Sequence, residues 1–243
     1  MQPVILLTRP AAAARRFADA LRARLGEVRI VQSPLLRIEW VMADLPGGVA
    51  IFTSPRGVEG FLRAGGHAGR ACWCVGDATA EAAAEAGFAP RSASGDAKAL
   101  IAAILESGET GPFVHLRGKH AIADLAAILT KAGRETRAVV VYDQVTQPLG
   151  PEAQSLLQGE APVVVPLFSP RTARQFAGEC PVNRATRAPL FIAAMSGAVR
   201  DALGDVGASE LSIAARPDGQ AMVETVQGLF DAARRLEAGR GDK

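Results

Sequence analysis

The sequence predicts an α/β protein of two similar domains, each a parallel sheet flanked by helices, with a cleft between them. Two observations carry this. Short apolar runs alternate with helical patterns along almost the whole chain, as strands alternate with crossover helices around parallel sheets. The chain also repeats itself: Ser54-Pro55-Arg56 returns as Ser169-Pro170-Arg171, each time after an apolar run and before a helical one.

In chain order, the first apolar run covers residues 4–8. A helical pattern over 11–25 follows, in which Phe17, Leu21 and Leu25 share one stripe. Strands are then expected at 28–33, 49–52, 72–75, 88–91, 113–117, 139–142, 163–168, 190–194 and 211–214. Helices are expected at 56–64, 79–86, 97–105, 121–131, 171–177, 199–206 and 220–236. Alanine is so frequent that helix propensity is strong while the apolar stripes are blurred.

The repeat extends beyond the Ser-Pro-Arg turns. Thr8-Arg9-Pro10 has its echo in Leu116-Arg117-Gly118, Val75-Gly76-Asp77-Ala78 in Met195-Ser196-Gly197-Ala198, and Asp96-Ala97-Lys98 in Asp218-Gly219-Gln220. The offsets run from 108 residues (8 to 116) to 122 (96 to 218). Two diverged copies of one α/β plan explain this. Lobes facing each other would set equivalent strand-to-helix turns on opposite walls of a cleft.

Composition narrows the class. With 243 residues, 49% of them hydrophobic and 21% charged, the chain has an ordinary globular make-up. A chain of this size buries roughly 70% of the surface it exposes when unfolded, so its core needs no staples. The net charge of +2 and the lack of a basic cluster argue against nucleic acid as a partner. Arg234, Arg235, Arg240 and Lys243 read as a solvated helix end. No basic leader and no apolar stretch of membrane-spanning length is visible, so a cytoplasmic location and no membrane partner are expected. Cys72, Cys74 and Cys180 read as buried thiols, and the three scattered histidines offer no metal site.

The turns carry the chemistry. Ser54 and Ser169 each precede a proline at the first helical position, where serine caps the helix and proline loses no hydrogen bond. That is one reading; the other adds that free helix N–H groups favour an anion. Arg9, Arg56, Arg117 and Arg171 sit just past strand ends, where open parallel sheets bind ligands. Four arginines in duplicated turns point to a ligand with several carboxylates or phosphates. Thr79 offers a hydroxyl beside Gly76 at another strand-to-helix junction. Neither GxGxxG after the first strand nor GxxxxGK[ST] is present, which argues against a nucleotide cradle. GxSxG is absent too, and His115 and His120 read as structural or surface groups. Tyr142, the single tyrosine, is either an ordinary strand residue or a proton donor.

Together, residues 5–10 (ILLTRP), 51–58 (IFTSPRGV), 75–79 (VGDAT), 115–118 (HLRG), 141–144 (VYDQ) and 168–172 (FSPRT) resemble the uroporphyrinogen-III synthases over essentially the full chain. The resemblance implies a discontinuous domain of residues 1–36 plus 152–243 and an inserted domain of 40–144. It implies a two-stranded connector between them, near 35–39 and 144–148, with residues 37–39 and 145–151 as the connecting segments. It implies a cofactor-free lyase that cyclises hydroxymethylbilane with loss of water and inversion of ring D. By the same resemblance Tyr142 is the general acid, and Ser54, Thr79 and Ser169 line the substrate site, with Ser196 as a further contact. Arg9, Arg56, Arg117 and Arg171 are added on the physical grounds above. A monomer in transient contact with the upstream hydroxymethylbilane synthase is implied as well. Many relatives carry a Gly-x-Thr-Thr-like turn where this chain has Met195-Ser196-Gly197-Ala198. That departure leaves a noncatalytic tetrapyrrole-binding or regulatory module of the same fold as the alternative.

Overall fold

The computed structural model describes residues 2–120, 124–180 and 186–241, with no side chain described for Arg240 or Gly241. The chain divides into two units, residues 1–37 with 146–243 and residues 38–145. The first unit opens with β1 (Val4–Leu7), α1 (Ala11–Leu25) and β2 (Ile30–Gln32), and β3 (Leu36–Trp40) leads out of it. The second unit continues with β4 (Val49–Phe52), α2 (Pro55–Arg63), β5 (Ala71–Cys74), α3 (Asp77–Glu85) and β6 (Ala89–Ser92). It is completed by α4 (Ala97–Glu106), β7 (Phe113–Gly118), α5 (Leu125–Lys131) and β8 (Thr136–Thr146). The chain then returns to the first unit with α6 (Pro151–Gln158), β9 (Val163–Leu167), α7 (Pro170–Glu179) and β10 (Leu190–Ala194). That unit ends with α8 (Gly197–Leu203), β11 (Glu210–Ile213) and α9 (Gly219–Gly241).

In the first unit the sheet order is β11-β10-β9-β1-β2, with every pairing parallel. β1, β9 and β10 are buried along their whole length, as strands covered on both faces must be. Alternate residues feed different cores. Leu6, Val165 and Ile192 pack with residues of α6, α7 and α8, while Ile5, Val164 and Phe191 pack under α1 and α9.

The second unit has the order β3-β8-β7-β4-β5-β6, and the four pairings from β8 to β6 are parallel. Phe52, Cys74 and Leu116 pack under α2 and α3, and Ile51, Trp73 and Phe113 under α4 and α5. β3 lies beside β8 at the edge of this sheet. The Val41 N–H donates to the Val141 carbonyl at 3.1 Å and the Gln147 N–H to the Leu35 carbonyl at 3.0 Å, so these two strands run antiparallel.

The duplication reaches the topology. When the Ser-Pro-Arg turns are matched, β4 corresponds to β9, β5 to β10, β6 to β11, β7 to β1 and β8 to β2. The five strands of the first sheet then match five of the six in the second, in the same order, and β3 is the extra edge strand. The helices follow: α2 and α7, like α3 and α8, cover one face, and α4 and α9, like α5 and α1, the other.

Several elements differ from the sequence expectation. The strand expected at 139–142 is the eleven-residue β8, which continues through polar Asp143 and Gln144. α6 has no counterpart in the sequence pattern; proline at its first position and a glycine cap start it without a side-chain signal. Of the helix expected at 121–131, residues 121–123 lie outside the described residues, and the helix runs Leu125–Lys131. Lys243 of the basic tail also lies outside the described residues. The three cysteines are free and buried, as expected. Cys72 and Cys74 both face the α2–α3 core with their Sγ atoms 3.9 Å apart, and Trp73 between them faces the other way.

Candidate active site

A sheet of this order has a switch point where the crossovers change direction, and ligands bind there, outside the carboxyl ends of the strands. In the second unit it lies between β4 and β7. Ser54 follows β4 and caps α2, its Oγ accepting from the Gly57 N–H at 3.2 Å. The same Oγ stands 3.1 Å from the Tyr142 hydroxyl. Pro55 takes the first helical position and Arg56 the next. The helix sits tight on the sheet because two glycines face it. A Cβ at Gly57 would stand 2.7 Å from the Leu116 carbonyl oxygen, and one at Gly60 would stand 2.7 Å from Val141 Cγ2.

Tyr142 owes its direction to a bulge. Leu116 pairs with Val139 and Arg117 with Val140, but Gly118 pairs with Tyr142, so Val141 is an extra residue on β8. Because side chains alternate faces, one extra residue turns everything after it over. Val139 and Val141 face α2, and the bulge brings Tyr142 to that face as well. The half-buried ring lies against Gly118, and the Trp40 ring meets it edge-on with centroids 6.4 Å apart.

Two ionisable groups flank this site. His115, buried in β7, has its Nε2 3.1 Å from the Thr53 hydroxyl. Burial above all, with the Arg117 charge, lowers its pKa to about 4, against a smaller opposing pull from Asp124. The ring is therefore neutral at pH 7. Asp143, next to Tyr142, has Lys119 Nζ at 3.3 Å and His120 Nε2 at 3.4 Å. Its burial acts to raise the carboxyl pKa, but the bond and charge of Lys119, the Gln144 N–H and the His120 charge outweigh it and hold the pKa below the ordinary range.

The switch point of the first unit lies between β9 and β1. Ser169 caps α7, its Oγ accepting from the Thr172 N–H at 3.2 Å and standing 2.8 Å from Thr172 Oγ1. Thr172 in turn donates to the Ser169 carbonyl at 3.0 Å. The copies thus differ: the Ser169 hydroxyl is engaged by its own helix, whereas Ser54 also meets a tyrosine. Arg9, just past β1, lays its guanidinium on the Phe168 ring with Cζ 3.8 Å from the centroid. Burial first, and the Arg16 charge second, lower its pKa. Arg171 follows Pro170 in the first turn of α7, as Arg56 follows Pro55 in α2.

Three residues stand elsewhere than expected. Arg117 is inside β7, not beyond its end. Tyr142 is the seventh residue of β8, not its last. Thr79 is the third residue of α3 with its side chain buried, and Gly76 caps that helix. Ser196 does cap α8, but its side chain makes no capping bond. Sequence reasoning missed Trp40 and Gly118 against Tyr142, and Phe168 under Arg9. Of these only Phe168, adjacent to Ser169, carries a hint in its position.

A sequence model of the family described as Uroporphyrinogen-III synthase HemD matches residues 15–224. Among curated protein sequences none matches. The crystal structure of uroporphyrinogen-III synthetase from Helicobacter pylori 26695 is similar, with a TM-score of 0.61 at 16% identity, over 94% of this chain and 100% of that one. A mutant uroporphyrinogen III synthase from Thermus thermophilus gives a TM-score of 0.45 at 17% identity, over 97% and 100%. The Helicobacter pylori likeness establishes the common fold, and the family match spans 210 residues of the 243 (15 to 224). The chain belongs to the uroporphyrinogen-III synthase family.

Proposed function

We propose that Tyr142 is the proton donor in the reaction of this family, the cyclisation of hydroxymethylbilane to uroporphyrinogen III with loss of water. The observation that carries this is the 3.1 Å contact between the Tyr142 hydroxyl and Ser54 Oγ at the switch point of the second unit. Ser54 Oγ already accepts from the Gly57 N–H, so its own proton is available to the tyrosine oxygen. The phenol proton is then left to point at substrate. Transferred to the terminal hydroxyl, it lets the C–O bond break and water depart, giving the electrophilic azafulvene. The hydrogen bond from Ser54 stabilises the phenolate left behind.

The substituted carbon of ring D attacks, forming the spiro-pyrrolenine, which fragments and re-closes with that ring inverted. A proton released as the pyrrole recovers its aromaticity returns to Tyr142, so the enzyme ends as it began. No protein nucleophile is required; the remaining task is to hold the chain in the productive fold ahead of uncatalysed closure to isomer I. The substrate carries many carboxylates, and Arg9, Arg56, Arg117 and Arg171 are proposed to bind them together with Ser169, Ser196 and free N–H groups of the helix starts. Thr79, whose side chain is buried and whose N–H donates to the Gly76 carbonyl at 3.0 Å, contributes by holding the turn that starts α3.

A cytoplasmic monomer that receives its substrate in transient contact with the hydroxymethylbilane synthase is the proposed setting. Among the described residues no helix is long and apolar enough to cross a membrane. The experiment is product analysis. Purified protein is mixed with freshly generated hydroxymethylbilane, and the uroporphyrin isomers are separated after oxidation. Predominant isomer III from the wild-type chain, with its rate sharply reduced in Tyr142→Phe, is the expected result. Isomer III formed at the wild-type rate by Tyr142→Phe removes the role assigned to the tyrosine.

A further inference from the structure

Tyr142 reaches Ser54 by crossing a strand. Tyr142 is on β8, Ser54 follows β4, and β7 lies between them. The crossing is made over Gly118, the last residue of β7. A Cβ there would stand 2.6 Å from Tyr142 Cε2, 2.7 Å from Cζ and 3.0 Å from the hydroxyl oxygen. Gly118 is not among the residues of positive φ, so this position requires glycine for space and not for conformation. On another side of the ring stands Trp40, edge-on at 65° between planes. Trp40 is itself held: the Arg63 guanidinium lies 4.8 Å from its ring centroid, and Arg63 is tied to Glu59 at 2.9 Å.

We infer that Gly118 and Trp40 are positioning residues of the reaction, Gly118 opening the passage through which the phenol reaches Ser54 and Trp40 closing the ring's other way out. The inference rests on the reading of Tyr142 as proton donor. Neither residue needs to touch substrate; each acts by fixing the direction of one hydroxyl. A methyl group at position 118 pushes the ring off its seat, and loss of the indole lets it swing.

Tyr142 is the chain's only tyrosine, so protein grown on tyrosine labelled with carbon-13 at Cζ shows a single resonance that reports this hydroxyl. The variants are Gly118→Ala and Trp40→Leu, each also combined with Tyr142→Phe. The expected result is a displaced resonance and a turnover reduced about 10-fold or more, with KM little changed, as for a misaligned general acid. In the Tyr142→Phe background the same substitutions should cost no further turnover. If Gly118→Ala does not fold, Trp40→Leu, at a partly exposed site, decides alone. An unmoved resonance with normal turnover overturns the inference, as does an equal loss of turnover with Phe at 142. Normal turnover in Tyr142→Phe itself would instead overturn the proton-donor reading, and the inference with it.

Discussion

The hydroxyl oxygens of Ser54 and Tyr142 stand 3.1 Å apart although 88 residues separate them in the chain. One oxygen belongs to a helix cap and the other to a strand two places away in the sheet. The serine therefore has two tasks, and its removal should show both. Ser54→Ala deletes a cap, which costs about 1 kcal/mol of stability. It also removes the partner of the phenol. A lowered melting temperature together with a lower kcat is expected. Ser169→Ala loses a cap that has no tyrosine beside it, so it should lower the melting temperature and leave kcat in place. Equal kcat losses in the two variants would contradict the division of tasks.

Tyr142→Phe keeps the ring on Gly118 and beside Trp40 while deleting the acid. Turnover should fall roughly 10²- to 10⁴-fold, the range for one general acid, with KM within a few-fold of wild type. Single-turnover rates of isomer III formation measure this directly. A drop confined to KM would place the hydroxyl among the substrate-binding groups.

Arg9 offers the opposite signature. Its guanidinium is stacked on Phe168 at the first unit's switch point, partly desolvated and oriented before any ligand arrives. Arg9→Ala should raise KM with kcat nearly unchanged, and the effect should shrink as salt is added. Arg9→Lys keeps the charge but not the planar stack, so only part of the affinity should return. Wild-type KM in Arg9→Ala would remove it from the substrate site.

How much of this is legible in the sequence depends on the range of the interaction. The Ser-Pro-Arg turns are readable because capping and proline placement are local, and both helices begin where those residues indicate. The repeat is readable because it is a comparison of the chain with itself, and the matching strand orders follow from it. The direction of Tyr142 is not. It depends on a single extra residue in β8, and β-branched Val139-Val140-Val141 looks the same with or without a bulge. Trp40 and Gly118 meet Tyr142 only through the sheet order, which no local pattern states. α6 escapes notice because its start has no side-chain cap.

Glycines on helices separate crowding from flexibility. Gly60 in α2 leaves no room, since a Cβ would lie 2.7 Å from Val141 Cγ2 and 2.9 Å from the Val141 carbonyl oxygen. Gly60→Ala should therefore destabilise by about 1–3 kcal/mol through overpacking. Gly228, exposed in α9, has nothing within 4 Å of its added Cβ. Gly228→Ala should stabilise by about 1 kcal/mol, the difference in helix propensity. Urea denaturation of both proteins checks the pair, and a stabilised Gly60→Ala would mean that α2 can lift from the sheet at little cost.

His115 makes stability depend on acid. Its pKa falls from the ordinary 6.5 to about 4 in the folded chain, chiefly because the ring is buried, with the Arg117 charge adding and Asp124 opposing. The unfolded chain thus binds a proton between pH 6.5 and 4 that the folded chain does not, and stability drops as pH falls through that window. The full loss, reached below the folded-state value, is on the order of 3 kcal/mol. Above about pH 7 both states are neutral and the group contributes no slope. His115→Gln retains an amide for the Thr53 hydroxyl without a titrating ring, so it should cost some stability at neutral pH yet flatten the dependence between pH 6.5 and 4. Urea midpoints of the two proteins, taken at neutral pH and at two points inside that window, measure the difference. Curves that stay parallel over that range would show that the ring takes up its proton without cost, and that the acid sensitivity of the chain lies in other groups.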